Sequence, residues 1–325
     1  MRPRRRDRPR RRSARGGVFW LLLGFLTAGL ASWLFFKRRE DEWEGAGDDG
    51  PEPSPAEPPD TAPPAERTFW IAGPAGNLRV RDGGGDAAGR GGAVLFVHSL
   101  AGNGGQWRAQ LDHLRRAGRR AVALDLRGHG DSEPAEDGDY SVAGLAADVA
   151  AVADQLGLRR FVLAGHSLGA LAAIDYAGRH PERVAALLLV DPNGDMTGTP
   201  RAEFEPFLAA LRADPHGELT SYYRQLLVHA PPAAAERVLA DVRGTAEEAI
   251  PASIEAAFAY PPLPALDAYP GPKLSVISDL NDLPVSLHKR RPDLPTRWLP
   301  HTGHWLQMDA PEAVNRLLEE LLGAL

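Results

Sequence analysis

From about residue 67 onward, short runs of unbroken apolar residues alternate with longer stretches of helical spacing. Residues 93–98 (AVLFVH), 121–124 (AVAL), 161–164 (FVLA), 184–190 (VAALLLV) and 273–277 (KLSVI) are brief and almost wholly apolar. Runs of this kind predict strands of a parallel sheet buried on both faces. Between them, residues 106–117 place Trp107, Leu111 and Leu114 on one helical face, and 142–156, 168–177 and 311–322 also have helical spacing. Residues 69–71 and 78–81 predict a leading hairpin, and 296–299 a last strand. The expected fold class is α/β, a mostly parallel central sheet covered by helices. Residues 195–266 break this rhythm. They predict helices over 204–212, 219–228, 233–242 and 254–258, separated by prolines and inserted between two strands. This segment is expected to form a small helical cap over the carboxyl edge of the sheet, where ligands bind in open α/β folds.

The first 66 residues have a different pattern. Residues 17–36 (GVFWLLLGFLTAGLASWLFF) carry no charge. A helix of that length spans about 30 Å, the hydrocarbon thickness of a bilayer. Trp20 and Trp33 lie near its ends, with Arg15 before it and Lys37, Arg38 and Arg39 after it. The run is expected to be a transmembrane signal anchor. A cleaved signal peptide is the alternative, with Gly29 and Ala31 as small residues, although apolar residues continue to Phe36. Charge sets the orientation. Residues 1–15 hold nine arginines and one aspartate in a chain of net charge −6, so residues 16–325 carry −14. The positive-inside rule then places residues 1–16 in the cytoplasm and the remainder in the periplasm or cell exterior. The bilayer is the partner expected for 17–36. The acidic body argues against nucleic acid as a partner of the folded domain. Residues 37–66 form an acidic, proline-rich linker with too little apolar surface to order itself, leaving 67–325 as the folded domain. The chain has no cysteine, which excludes disulfides, thiolate catalysis and cysteine-bound zinc.

The candidate chemistry lies at the ends of the predicted strands. Residues 161–169 (FVLAGHSLG) run from a strand through G-x-S-x-G into a helix. This places Ser167 on a sharp turn at a helix N-terminus, where backbone N–H groups favour developing negative charge. A serine hydroxyl is a weak nucleophile until a base accepts its proton, and imidazole has a suitable pKa. His304, in LPHTGHW between the last strand and last helix, is the candidate base. His301 is the alternative in that loop, and His129 precedes the serine in a glycine-rich turn, LDLRGHGDS, whose Asp125 and Arg127 are expected to pair.

Over residues 68–325 these motifs resemble the α/β-hydrolase fold family. The match rests on the serine elbow, the 98–102 turn (HSLAG), the 124–132 turn, the Gly303-His304 pair and the later Pro311-Glu312. The resemblance implies a serine hydrolase of carboxylic esters or related acyl compounds, with no cofactor and no metal. It also implies an oxyanion hole from the amides of Leu100 and Leu168, although Ser99 stands where glycine is usual. His98, Trp107 and His166 are expected to contact substrate. In this family the acid usually follows the strand after the cap. Asn281 occupies that slot here, so Asp282, one residue on, is the expected acid; Asp191 and Asp279 are the alternatives. Tyr222 and Tyr223 resemble the paired tyrosines of epoxide hydrolases, but those enzymes use aspartate at the elbow. The same apparatus also supports acyl transfer, thioester cleavage or perhydrolysis, and a silent scaffold is the alternative from outside enzymology.

Overall fold

A strand that is apolar at every position has no face to give to water, so it must be covered twice. In the computed structural model, which describes residues 66–85 and 92–325, this requirement organises the molecule. Eight strands, β1 (Arg67–Gly73), β2 (Gly76–Asp82), β3 (Val94–Val97), β4 (Ala121–Leu124), β5 (Phe161–His166), β6 (Val184–Val190), β7 (Lys273–Ile277) and β8 (Thr296–Trp298), form one sheet. Their order is β1-β2-β4-β3-β5-β6-β7-β8. The first pair is an antiparallel hairpin, longer than the sequence pattern indicates, that joins β4 antiparallel. All remaining pairs are parallel.

Successive residues of β3 serve opposite faces. Val94 and Phe96 pack with Trp107, Leu111 and Leu114, from the 3₁₀ turn Gly104–Trp107 and helix α1 (Arg108–Arg116), and with Val314 and Leu318 of the last helix, Pro311–Gly323. Leu95 and Val97 pack with Leu145 and Val149 of α2 (Val142–Gln155) and Leu171 of α3 (Leu168–Arg179).

The insertion between β6 and β7 contains five helices, one more than the pattern predicts: α4 (Arg201–Ala213), α5 (Pro215–Leu226), α6 (Pro232–Arg243), α7 (Ala249–Ala259) and α8 (Pro262–Ala268). Proline starts α5, α6 and α8 at positions whose amides lie outside the helical ladder. Helix α8 rests on α3 so closely that a Cβ at Gly178 would lie 2.7 Å from the Ala265 carbonyl oxygen. Polar groups fix the cap to the sheet's loops. Asp241 of α6 accepts from Asn103 Nδ2 (2.8 Å) and Gln106 Nε2 (3.0 Å).

Arg127 does not pair with Asp125, contrary to the sequence expectation. Its guanidinium binds Asp148 of α2 at 2.7 Å, with both side chains nearly fully buried. Asp125 instead accepts from the amides of Gly104 (2.7 Å) and Asp131 (3.0 Å), which holds the glycine turn in shape. Among the described residues, no helix is long and apolar enough to cross a membrane. The expected span, 17–36, lies outside the described residues.

Candidate active site

The strand-to-helix turn at Ser167 is tight because its neighbours allow no side chains. A Cβ on Gly165 would run into the Gly169 carbonyl, and one on Gly169 would run into the backbone of Val97 and His98. Glycine at 165 lets α3 start directly against β5, and glycine at 169 lets it lie on the end of β3. Ser167 bears the strain, with φ of 52° in a region where a non-glycine residue is disfavoured. Strain of this kind persists only where the surroundings over-determine it. Here the Ser167 amide donates to Val190 on the neighbouring strand (3.1 Å), and its carbonyl accepts from Ala170 (3.0 Å).

One strand over, Asp191 follows β6 with the same unusual geometry, φ 41°. Its amide donates to Val276 of β7 (2.7 Å), and its side chain is 1% exposed. A buried carboxylate requires donors, and Asp191 has four. Oδ1 accepts from the Ser278 amide (2.8 Å) and Asn281 Nδ2 (3.2 Å); Oδ2 accepts from the Ser278 hydroxyl (3.1 Å) and His304 Nδ1 (2.6 Å). With Nδ1–H committed to this carboxylate, Nε2 of a neutral His304 is left as the proton acceptor.

Asp282 is therefore not the partner of His304. It is a surface anchor, bound to Lys289 Nζ (2.6 Å) and His288 Nε2 (3.1 Å). Its carboxyl feels burial pushing it upward, but these two partners outweigh that and hold it below the usual carboxylate range. Asp279 is also turned away, accepting from Trp298 Nε1 (2.6 Å) and the His301 amide (3.0 Å).

The three residues expected at the substrate surface are all fully buried, so that expectation is corrected. Trp107 packs against Phe96, with ring centroids 4.8 Å apart. His98 Nδ1 donates to the Ser99 carbonyl (2.7 Å), and Nε2 accepts from the Leu126 amide (2.9 Å). The Ser99 carbonyl also accepts from the Gly102 amide (3.1 Å), closing a turn in which Ala101 takes φ 50°. The Ser99 carbonyl and the Leu100 N–H share one planar peptide, so fixing the first aims the second. Burial lowers His98 to about 4, which keeps it neutral in this role. His166, next to the serine, donates from Nε2 to the His304 carbonyl (2.8 Å), and its Nδ1 accepts from Gln307 Nε2 (3.1 Å). Burial holds it well below the usual histidine value. It therefore pins the loop that carries His304.

Among the described residues, neither the Leu100 nor the Leu168 amide has a protein acceptor. Leu168 N–H is the first amide of α3, where helix N–H groups are naturally unpaired. The cap reaches this place through α5. Tyr223 Oη donates to the Leu100 carbonyl (2.6 Å), its ring stands edge-on to Trp305 at 4.9 Å, and the Leu226 carbonyl accepts from the His304 amide (3.2 Å). Tyr222 packs on Phe207 (5.4 Å between centroids). The sequence motifs do not point to Asn193, yet Ser167 Oγ donates to Asn193 Oδ1 at 2.8 Å. Among the described residues, no three or more His, Asp or Glu side chains converge as metal ligands.

Comparison with known proteins agrees with this architecture. A family model for the alpha/beta hydrolase fold matches residues 92–237. A putative carbamate hydrolase, RutD, of Variovorax paradoxus (strain S110) is 41% identical over 99 residues, covering 30% of this chain and 37% of that protein. Epoxide hydrolase 3 of Siraitia grosvenorii is 34% identical over 127 residues, 39% of each chain. The chain thus spans roughly two fifths of the length of these relatives. Among solved structures, a thermophilic esterase from Thermogutta terrifontis superposes with a TM-score of 0.67 at 22% identity, covering 79% of this chain and 98% of that one.

Proposed function

We propose, from the match of residues 92–237 to the α/β-hydrolase fold family, that the chain is a serine hydrolase cleaving carboxylic esters or related acyl compounds. Ser167 Oγ attacks the acyl carbon and its proton passes to His304 Nε2, while the carbonyl π pair moves onto oxygen. The amides of Leu100 and Leu168 receive that oxyanion. As the tetrahedral species collapses, the bond to the leaving group breaks, the leaving group takes the proton from His304, and an acyl-serine remains. Water then repeats the sequence, releasing the acid and restoring the hydroxyl. Asp191 keeps Nδ1–H in place throughout and offsets the imidazolium charge that forms twice per turnover.

The observation carrying this reading is the buried Asp191 carboxylate 2.6 Å from His304 Nδ1, on the strand beside a serine held at φ 52°. Of the chemistries named among the relatives, carbamate and ester cleavage suit a serine at the elbow. An aspartate nucleophile of the kind the epoxide hydrolases use is absent from this position. The test is labelling of the full-length protein by a fluorophosphonate probe. Wild type should label and Ser167→Ala should not; an unlabelled wild type sinks the enzyme reading in favour of a scaffold. A panel of esters, thioesters, lactones and carbamates then ranks the acyl classes by kcat/KM.

The arginine-rich start and the uncharged 17–36 run support a second part of the reading: a single-pass anchor with residues 40–325 outside the cytoplasm. Alkaline phosphatase fused to the C-terminus should be active in a bacterial host. An inactive phosphatase paired with a fluorescent protein fusion that matures would reverse the topology.

A further inference from the structure

In the proposed site the serine hydroxyl is not hydrogen-bonded to His304. The Ser167 hydroxyl donates to Asn193 Oδ1 at 2.8 Å, and among the described residues His304 Nε2 has no protein partner. Asn193 is not there by chance of loop drift, because its backbone is fixed on both sides. Before it, Asp191 N–H is tied to Val276 and the Pro192 carbonyl accepts from Asn281 Nδ2 (2.9 Å). After it, Gly194 lies so close to the Val285 carbonyl that no side chain fits, and the Asp195 amide donates to that carbonyl (2.9 Å). The segment that supplies the buried carboxylate thus also delivers an amide oxygen to the serine, two residues later.

An amide oxygen accepts a hydrogen bond but does not take the proton, so a serine bound to it is not activated. We propose that Asn193 is a positioning residue that clamps Ser167 Oγ in a resting orientation away from His304, and that acyl-substrate binding must break this bond before the hydroxyl can pass its proton to Nε2. This rests on the serine-hydrolase reading above. It makes the resting state more stable than a site in which Oγ already points at the imidazole. A contact made in the free enzyme and lost in the transition state slows kcat/KM. Removing Asn193 should therefore accelerate the reaction, whereas loss of an ordinary structural or catalytic contact slows it.

The experiment compares full-length wild type and Asn193→Ala in detergent. It reads the second-order rate of fluorophosphonate labelling and kcat/KM for p-nitrophenyl acetate, with thermal melting as a check of folding. A neutral hydrogen bond of ordinary strength corresponds to a gain of roughly fivefold in both rates. Unliganded crystal structures of the two proteins provide a second readout. Ser167 Oγ should stay on Asn193 in wild type and move within hydrogen-bonding reach of His304 Nε2 in the variant. Equal or slower labelling of a folded Asn193→Ala overturns the clamp, as does a wild-type crystal structure with Oγ already on His304. Failure of wild type to label overturns the hydrolase reading and the clamp together, so the two failures are told apart by the wild-type control.

Discussion

Two loops leave neighbouring strand ends beside Ser167. The loop after β6 supplies one carboxylate, Asp191, only 1% exposed and facing His304. The loop after β7 supplies hydrogen-bond donors instead: the Ser278 amide and hydroxyl and the Asn281 amide all converge on that carboxylate. Its own aspartates, Asp279 and Asp282, turn outward to Trp298 and to Lys289 and His288. The difference shows how a buried acid is built. A carboxylate out of water needs donors on every side, and a second carboxylate in contact would keep both from ionising. One loop therefore carries the charge and its neighbour must stay neutral. Asn281 meets that condition: its orientation is fixed because its Oδ1 accepts from the Ser286 hydroxyl (2.8 Å), which leaves Nδ2 to face Asp191.

The sharpest way to break this comparison is to exchange the roles of the two aspartates. Asp191→Asn is expected to lower kcat on the order of 10⁴-fold, because the imidazole loses both its fixed tautomer and its counter-charge. Asp282→Ala should stay within about twofold of wild type. Steady-state kinetics on both folded variants decides it, and the reverse ranking would return the acid to the loop after β7.

A histidine buried without an opposite charge sharpens the contrast. Asp191 is matched by donors, whereas His98 meets only backbone groups, and burial lowers it from 6.5 to about 4. Its folded value lies below its unfolded one. The stability it contributes is therefore complete above pH 6.5 and is lost as pH falls toward 4, where the unfolded chain has taken up the proton and the folded one has not. The loss should be on the order of 2 kcal/mol by pH 5. Urea unfolding at pH 7 and pH 5 measures it, and His98→Asn should show a shallower pH slope than wild type; equal slopes would exclude this histidine as the source.

Next in size is Asn281→Leu, which removes one donor from the Asp191 carboxylate while leaving its charge. Hydrogen bonds to charged groups are worth about 1.5–3 kcal/mol. Part of that appears in turnover, giving about a tenfold fall in kcat with little change in KM. A variant within twofold of wild type would mean that the loop after β7 gives the acid no support.

The smallest effect is expected at the outward aspartate. Its ion pairs with Lys289 and His288 are partly exposed, so Asp282→Ala should cost under about 1 kcal/mol at pH 7. Because those partners hold the Asp282 carboxyl below its usual value, the contribution is present at neutral pH and disappears as acid protonates the folded carboxyl. The difference in melting temperature from wild type should accordingly shrink as pH falls below the ordinary carboxylate value of 3.8. A difference that persists there would point to packing rather than charge.

The candidate serine and histidine could be picked out from local pattern because each motif is local. G-x-S-x-G needs only that no side chains lie between α3 and the ends of β5 and β3, and the glycines at 165 and 169 declare that requirement in the sequence. The strands were legible for a similar reason, since unbroken apolar runs have one physical outcome, burial on both sides. The acid was not legible. Asp191, Asp279 and Asp282 are alike as letters, and each follows a strand. What separates them is which neighbouring loop points its donors inward, and that depends on the pairing of β6 with β7. The same holds for His98 and His166. Next to active-site motifs they resemble substrate contacts, yet alternation along the strands and the closeness of the loops turn both rings onto backbone carbonyls. Asn193 carried no signal at all, because an asparagine after a proline reads as a turn until the fold brings its amide to the serine.

By itself, then, the sequence determined the sheet, the elbow, the candidates for nucleophile and base, and the charge pattern of the first 66 residues, all of which follow from neighbours in the chain. The tertiary structure alone decided which carboxylate faces the imidazole, which histidines are struts and where the resting hydroxyl points. Those outcomes depend on hydrogen-bond partners far apart in sequence: residues 191 and 304, 98 and 126, 223 and 100. A buried polar group takes whichever partner the fold places within about 3 Å, and no local pattern encodes that distance.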